Sequence, residues 1–348
     1  MSSNGSMARV RIALDAMGGD FGPPATVPGA LAALEANPEL DISLVGDADA
    51  VTAELSKHPA AMQEQAITVV PSEGKIEDDE HPISALRRKP RSSIATAMGL
   101  LKAGEADMAV SVGSTGATMV TAAMTLGLLE GLERPCIGGN FLGLAPNTTV
   151  VDLGSNVDCR PSLLLSFAAL GVVFSRLRLG IENPRVALLS VGEESAKGNR
   201  QVQESHALLR DSHLNFVGNV EGMDFFTDKA DVIVCDGFIG NILIKFAEGL
   251  GSALAPYLSR QLAEFLPEDQ LRQIAGALWT NMNLPRTMGG PLFGVDGLVM
   301  IGHGSSTAEG IAGAINTGLM CRRVELVEGF RQELSELHTA GVGTRAEV

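Results

Sequence analysis

Short apolar runs rich in Val, Ile and Leu recur along the chain and end alike, at glycine beside a small polar or acidic residue. Run 10–16 meets Met17-Gly18-Gly19-Asp20, 42–45 meets Gly46-Asp47, and 108–112 meets Gly113-Ser114-Thr115-Gly116. Further on, 149–153 meets Gly154-Ser155-Asn156, 186–191 meets Gly192-Glu193-Glu194, 232–235 ends at Asp236-Gly237, and 298–301 meets Gly302-His303-Gly304. Between most of these lie Ala/Leu-rich segments with helical spacing, such as 24–34, 94–101 and 162–174. Strands that alternate with helices and read as near-continuous apolar runs predict an α/β fold with a doubly wound, mostly parallel sheet. Ligands of such sheets bind outside the carboxyl ends of the strands, where these glycine and polar residues fall. Glycine also ends strands at low steric cost, so no single loop carries the assignment.

Residues 255–283 break the alternation. Leu258, Leu262, Phe265 and Leu266, then Leu271, Ile274, Ala275 and Leu278, fall at helical intervals on either side of Pro267-Glu268-Asp269, which predicts a projecting helical hairpin. The only tyrosine, Tyr257, and the only tryptophan, Trp279, lie in it. Pairing of subunits, contact with a membrane, and packing on the protein's own core all remain open uses. The longest continuous apolar stretch, 163–174, is shorter than the ~20 residues that cross a bilayer, so no transmembrane helix is predicted. Residues 1–6 lack an apolar signal core and read as an expression-vector remnant ahead of a native Met7, 7–338 as one α/β domain, and 339–348 as a disordered tail.

Charge and cysteine content narrow the partners. Lys and Arg number 26 against 41 Asp and Glu, a formal net charge of −15 that repels phosphodiester backbones and argues against nucleic-acid binding. An anionic partner therefore needs a local basic patch. Cys136, Cys159, Cys235 and Cys321 have no zinc-ligand spacing and no disulfide framework, as expected of a cytoplasmic protein.

Several chemistries lack their fingerprints. There is no P-loop, no complete G-x-G-x-x-G at a strand end, no G-x-S-x-G elbow and no H-E-x-x-H. Cys235 is the one cysteine near a strand end, and a small apolar residue packed in a strand explains it better than a nucleophile. What remains suits an anion held by backbone N–H groups where glycine-rich turns enter helices, at Ser114-Thr115-Gly116, Gly154-Ser155-Asn156 and Gly304-Ser305-Ser306, with Lys197, Lys245 and His303 as cations. Helix N-capping employs the same Ser and Asn side chains and is compatible with that use. Asp15, Asp20, Asp152, Asp158 and Asp236 admit a Mg²⁺ reading, or equally bonds to loop amides and cations.

Taken jointly, six segments resemble the PlsX family of acyl-acyl-carrier-protein:phosphate acyltransferases. They are Leu14-Asp15-Ala16-Met17-Gly18-Gly19-Asp20-Phe21-Gly22-Pro23, Gly113-Ser114-Thr115-Gly116-Ala117, Val151-Asp152-Leu153-Gly154-Ser155-Asn156-Val157-Asp158, Asn183-Pro184-Arg185-Val186-Ala187-Leu188-Leu189, Cys235-Asp236-Gly237-Phe238-Ile239-Gly240-Asn241 and Gly302-His303-Gly304-Ser305-Ser306. The likeness runs in order over 10–328 and departs from the family pattern at Ser114, usually Asn, and over 138–147. It implies a fold like isocitrate and isopropylmalate dehydrogenases and phosphotransacetylase, a homodimer, and synthesis of acyl phosphate from acyl carrier protein thioester and inorganic phosphate. The product then passes to a membrane glycerol-3-phosphate acyltransferase in phospholipid synthesis, which makes peripheral membrane contact a further expectation.

That chemistry needs no cofactor, metal or covalent enzyme intermediate. Phosphate is already a nucleophile, a thiolate with thiol pKa of about 8.5 is a fair leaving group, and what is left is positioning and oxyanion stabilisation. Lys197, Asn241 and His303 are the catalytic candidates, with His303 a proton donor to the departing sulfur. Asp15, Gly18, Gly19, Ser114, Thr115, Gly116, Asn156, Asp158, Asp236 and Ser305 are the candidate substrate-binding residues. Acyl carrier protein is acidic, so the basic run Arg87-Arg88-Lys89 is the candidate docking site, unless it guides phosphate or balances Glu77-Asp78-Asp79-Glu80. Two rivals stand beside this reading: a Mg-dependent hydroxy-acid dehydrogenase of the same fold, and a membrane-edge scaffold acting through 257–279.

Overall fold

The computed structural model describes residues 9–59 and 66–339. The vector remnant expected over 1–6 lies outside the described residues, as does the tail expected over 339–348 except for Thr339, which is helical. Within the span 7–338, expected as one α/β domain, the chain forms two compact units: Met1–Gly127 with Arg286–Arg322, and Leu128–Pro285 with Arg323–Val348.

The first unit carries β1 (Val10–Asp15), β2 (Leu40–Gly46), β3 (Ile67–Pro71), β4 (Met108–Ser111), β10 (Gly290–Phe293) and β11 (Val299–Ile301), numbered in chain order. They lie side by side as β3-β2-β1-β4-β11-β10, all parallel except β10 against β11. Helices α1 (Pro23–Ala36), α2 (Ala48–Leu55), α3 (Pro82–Arg88), α4 (Ser93–Lys102), α5 (Thr115–Thr125), the short α10 (Leu284–Met288) and α11 (Ala308–Arg323) complete it. Ile12, Leu14, Leu40, Ile42, Leu44 and Met108 are fully buried, as continuous apolar strands between helical layers must be.

In the second unit, β5 (Cys136–Gly139), β6 (Thr149–Val151), β7 (Val186–Leu189), β8 (Phe216–Val220) and β9 (Val232–Val234) are ordered β5-β6-β9-β7-β8, with only β5 antiparallel. Its helices are α6 (Pro161–Leu179), α7 (Arg200–Arg210), α8 (Gly237–Leu262), α9 (Glu268–Met282) and α12 (Leu326–Thr339). The helix pair expected over 255–283 is α8 with α9, and α8 begins well before that span, because Asp236 caps it by accepting from Ile239 N–H at 2.9 Å.

The structure corrects the reading of helix lengths. Both α6 and α8 are long and apolar enough to cross a membrane by length and composition. Most of α6 is buried, and Gly171 lets it approach Val232 of β9 and Val151 of β6, which makes it the unit's core helix. Most of α8 is not buried: Phe238, Ile242, Phe246 and Leu250 recur every four residues as an exposed apolar stripe.

Candidate active site

In the first unit, β1 leads to β2 and β3 on one side while β4 and β11 lie on the other, so strand order reverses between β1 and β4. That switch point is where open α/β sheets bind ligands. A shallow, open cleft lies there, lined by Asp15, Gly18, Gly19, Lys75, Ser111, Gly113, Ser114 and Thr118. Asp15 is buried at the end of β1 and accepts from Ser111 Oγ at 2.8 Å. Burial pushes its carboxyl up, against hydrogen bonds that include Ser111's.

The two glycines of the β1 loop are there because three strand ends meet at backbone distance. A Cβ on Gly18 would stand 2.8 Å from Gly113 N, and one on Gly19, at φ +76°, would stand 2.8 Å from Gly304 O. Asp20 N–H donates to that same Gly304 carbonyl at 2.8 Å, tying the β1 loop to the β11 loop. Ser114 caps α5 by accepting from Ala117 N–H at 3.5 Å, Thr115 is exposed, and Gly116 lies against Pro82 of α3.

Past β11 the loop holds His303 half-buried. Ser305 Oγ lies 2.9 Å from His303 Nδ1, and Ser305 N–H donates to the same nitrogen at 3.2 Å. Arg286, on α10, donates to Ser305 Oγ through Nε at 3.1 Å and also through Nη2. Sequence reasoning missed Arg286: it stands in no motif, and its tie to Ser305 spans nineteen positions.

The second unit gathers Asn156, Asp236 and Asn241 around the loop that follows β6. Asp152 is fully buried there and accepts from the N–H groups of Gly154 (3.0 Å), Ser155 (2.9 Å) and Asn156 (2.8 Å), from Asn156 Nδ2 (2.8 Å), and from the Ser155 hydroxyl. Burial pushes its carboxyl up while these bonds pull it down. Asn156 Nδ2 also donates to Pro135 O at 2.8 Å, so that nitrogen is committed to holding the loop. The first turn of α8 packs on this loop through glycine: a Cβ on Gly237 would meet Asn156 N at 2.6 Å, and one on Gly240 would meet Asp152 O at 1.8 Å. Asn241 follows, its Cβ 3.2 Å from where a Cβ on Gly154 would be. Asp158 is exposed, as is Lys197 on the loop after β7, whose N–H donates to Glu194 O at 2.9 Å. Lys245 pairs with Glu248 within α8 at 2.9 Å.

The basic run is split in its use. Glu80 accepts from Arg88 at 3.0 Å, from Lys89 at 2.6 Å and from Glu77 N–H at 2.9 Å, which holds its carboxyl down at about 2, chiefly through Lys89. Lys89 also donates to Lys75 O at 2.9 Å. Arg88 and Lys89 thus brace the segment that supplies Lys75 to the cleft, while Arg87 is exposed.

The cysteines fit no nucleophilic role. All are free and buried; burial pushes Cys136 and Cys235 well up, and Cys159 to about 12. Among the described residues, the one His/Cys/Asp/Glu group close enough to share an ion is His213, Glu333 and Glu336, away from the strand-end aspartates, and Arg176 already pairs with Glu333 at 3.2 Å.

Among solved structures, the chain shares its fold with a phosphotransacetylase from Streptococcus pyogenes (TM-score 0.56, 16% identity, 94% of each chain covered). A similar likeness holds for the EutD phosphotransacetylase from Staphylococcus aureus (TM-score 0.55, 17% identity, 92% of this chain and 94% of the other). It holds also for a 4-hydroxythreonine-4-phosphate dehydrogenase from Klebsiella pneumoniae (TM-score 0.51, 14% identity, 89% and 98%). The chain therefore has a phosphotransacetylase-like α/β fold. Sequence comparison narrows the class. The family model described as "Fatty acid synthesis protein" matches residues 10–325. A phosphate acyltransferase from Gloeobacter violaceus is 42% identical over 338 residues, covering 95% of this chain and 98% of the relative. One from Thermosynechococcus vestitus is 44% identical over 321 residues, covering 89% and 91%. The chain belongs to this fatty acid synthesis protein family, the PlsX family its motifs resemble, and it is an acyltransferase.

Proposed function

We propose that the protein makes acyl phosphate from an acyl-acyl-carrier-protein thioester and inorganic phosphate, an early step of phospholipid synthesis. A phosphate oxygen attacks the thioester carbonyl, the tetrahedral oxyanion collapses, the C–S bond breaks, and the departing sulfur takes the proton that hydrogen phosphate sheds on becoming an acyl phosphate. The observation that carries this reading is His303, held by a hydroxyl and a backbone N–H on Nδ1 at a strand end of the switch-point sheet. With two donors on Nδ1 the ring is neutral, and its Nε2–H donates a hydrogen bond to the oxyanion and the departing sulfur without giving up its proton. Four buried thiols pushed up or packed away support direct attack over an acyl-enzyme. Lys197 and Asn241 stay candidate anion ligands of the second unit, read out by their alanine variants as a raised KM for phosphate.

Incubation with acyl carrier protein thioester and phosphate, followed by hydroxylamine, tests the proposal. Hydroxamate should form only when phosphate is present; thioester loss with no phosphate dependence removes it. A change in nicotinamide absorbance with a hydroxy acid and Mg²⁺ would instead favour the dehydrogenase of the same fold.

Carrier docking falls to Arg87, since Arg88 and Lys89 are engaged with Glu80. R87E should raise KM for the carrier substrate several-fold, increasingly at low ionic strength, and leave KM for phosphate unchanged. Equal KM values in R87E and wild type would move docking elsewhere.

A further inference from the structure

We propose that Arg286 and Ser305 are positioning residues that lock neutral His303 in the tautomer carrying its proton on Nε2. The inference rests on the reading of His303 Nε2–H as a hydrogen-bond donor to the reacting groups, but concerns a property of the ring that is measurable without turnover. A guanidinium has five N–H donors and no acceptor, so both contacts from Arg286 make Ser305 Oγ the acceptor. A hydroxyl has one hydrogen, and the Ser305 hydrogen is left for His303 Nδ1 at 2.9 Å. The Ser305 backbone N–H points at the same nitrogen from 3.2 Å. Two donors aimed at Nδ1 require a lone pair there, and a neutral imidazole with a lone pair on Nδ1 has its proton on Nε2.

The arrangement also revises the part expected of Ser305. With two bonds accepted from Arg286 and one donated to Nδ1, its hydroxyl is fully used, which fits a residue that orients another and not one that binds substrate. The guanidinium charge polarises the Ser305 O–H, strengthening its bond to Nδ1. Ser306 Oγ donates to Arg286 O at 3.4 Å, and Asp20 N–H donates to Gly304 O at 2.8 Å, so both ends of the relay are anchored to backbone. Holding an imidazole in the productive tautomer is what an orienting partner contributes to general acid–base catalysis.

The test is ¹⁵N NMR of full-length protein labelled at histidine, at a pH where His303 is neutral, with its resonances assigned by their loss in H303Q. Wild type should show a protonated Nε2 and an unprotonated Nδ1. In S305A and in R286Q both signals should move toward the average of two exchanging tautomers, while S305T, which keeps the hydroxyl, should retain the wild-type pattern. In the hydroxamate assay S305A should lower kcat by about 10- to 100-fold with KM for phosphate little changed, and S305T should recover most of it. Wild-type His303 found protonated on Nδ1 overturns the inference, as does an unaltered pattern in both S305A and R286Q. A tautomer shift with undiminished turnover would uphold the positioning role and remove His303 from the chemistry.

Discussion

Replacing His303 by alanine is expected to slow acyl phosphate formation by about 10²- to 10³-fold, the usual contribution of one hydrogen-bond donor aimed at developing charge. The loss should fall on kcat. Phosphate already attacks as an anion, and Nε2–H donates a hydrogen bond to the charge that builds on the oxyanion and the departing sulfur, so removing the ring takes away an interaction made as the C–S bond breaks. The substitution should spare the fold: His303 is half-buried on a loop, and the backbone ties of that loop run through Gly304 and Ser306. Phosphate-dependent hydroxamate yield measures the rate, and an unchanged unfolding midpoint would separate chemistry from stability. Turnover within a few-fold of wild type would take His303 off the catalytic list.

How much of this was readable from residues alone depends on what each element buries. The apolar runs at 10–16, 42–45, 108–112, 149–153, 186–191, 232–235 and 298–301 correspond to β1, β2, β4, β6, β7, β9 and β11. A strand covered on both faces has to be apolar throughout, so the pattern is visible without an alignment. The strands left out of that reading sit at the ends of each unit's order or pair antiparallel. β3 has no fully buried position and β8 is buried only over its last two, so neither makes a continuous run. β5 ends in Gly138-Gly139 and β10 begins Gly290-Pro291, residues that read as turns.

The site divides along a similar line. Gly18, Gly19 and Ser114 were found because close backbone approach and N-capping are local demands with a local residue type. Arg286 with Ser305, and Glu80 with Arg88 and Lys89, are contacts between side chains whose partner depends on the finished fold. Asp152 is the instructive intermediate. Its position at a strand end was legible, and the choice between ion ligand and acceptor of loop amides was not, until six donors were seen converging on its two oxygens.

Those six donors make Asp152 the residue whose loss should cost the fold most. D152A leaves the backbone N–H groups of Gly154, Ser155 and Asn156, an amide and a hydroxyl facing an empty, fully buried space, while Ile137 N–H keeps its bond to Ser155 Oγ at 2.8 Å; each buried donor left unmet costs about 1–3 kcal/mol. Partial relaxation and water entry return some of that. A net loss of about 4 kcal/mol or more is expected, a size reserved for broken buried networks and a large share of a typical domain's stability. D152N should be nearly as harmful, because its amide nitrogen would face the Asn156 donors that a carboxylate oxygen now accepts. Trp279 is the only tryptophan and lies in the same unit, so its fluorescence under urea reports this loss directly. Activity should fall with stability, since the loop that Asp152 organises also seats the first turn of α8 through Gly237 and Gly240, and with it Asn241. A D152A midpoint equal to wild type would mean that the loop holds its shape without the carboxylate, and that the placement of Asn241 rests on the α8 glycines alone.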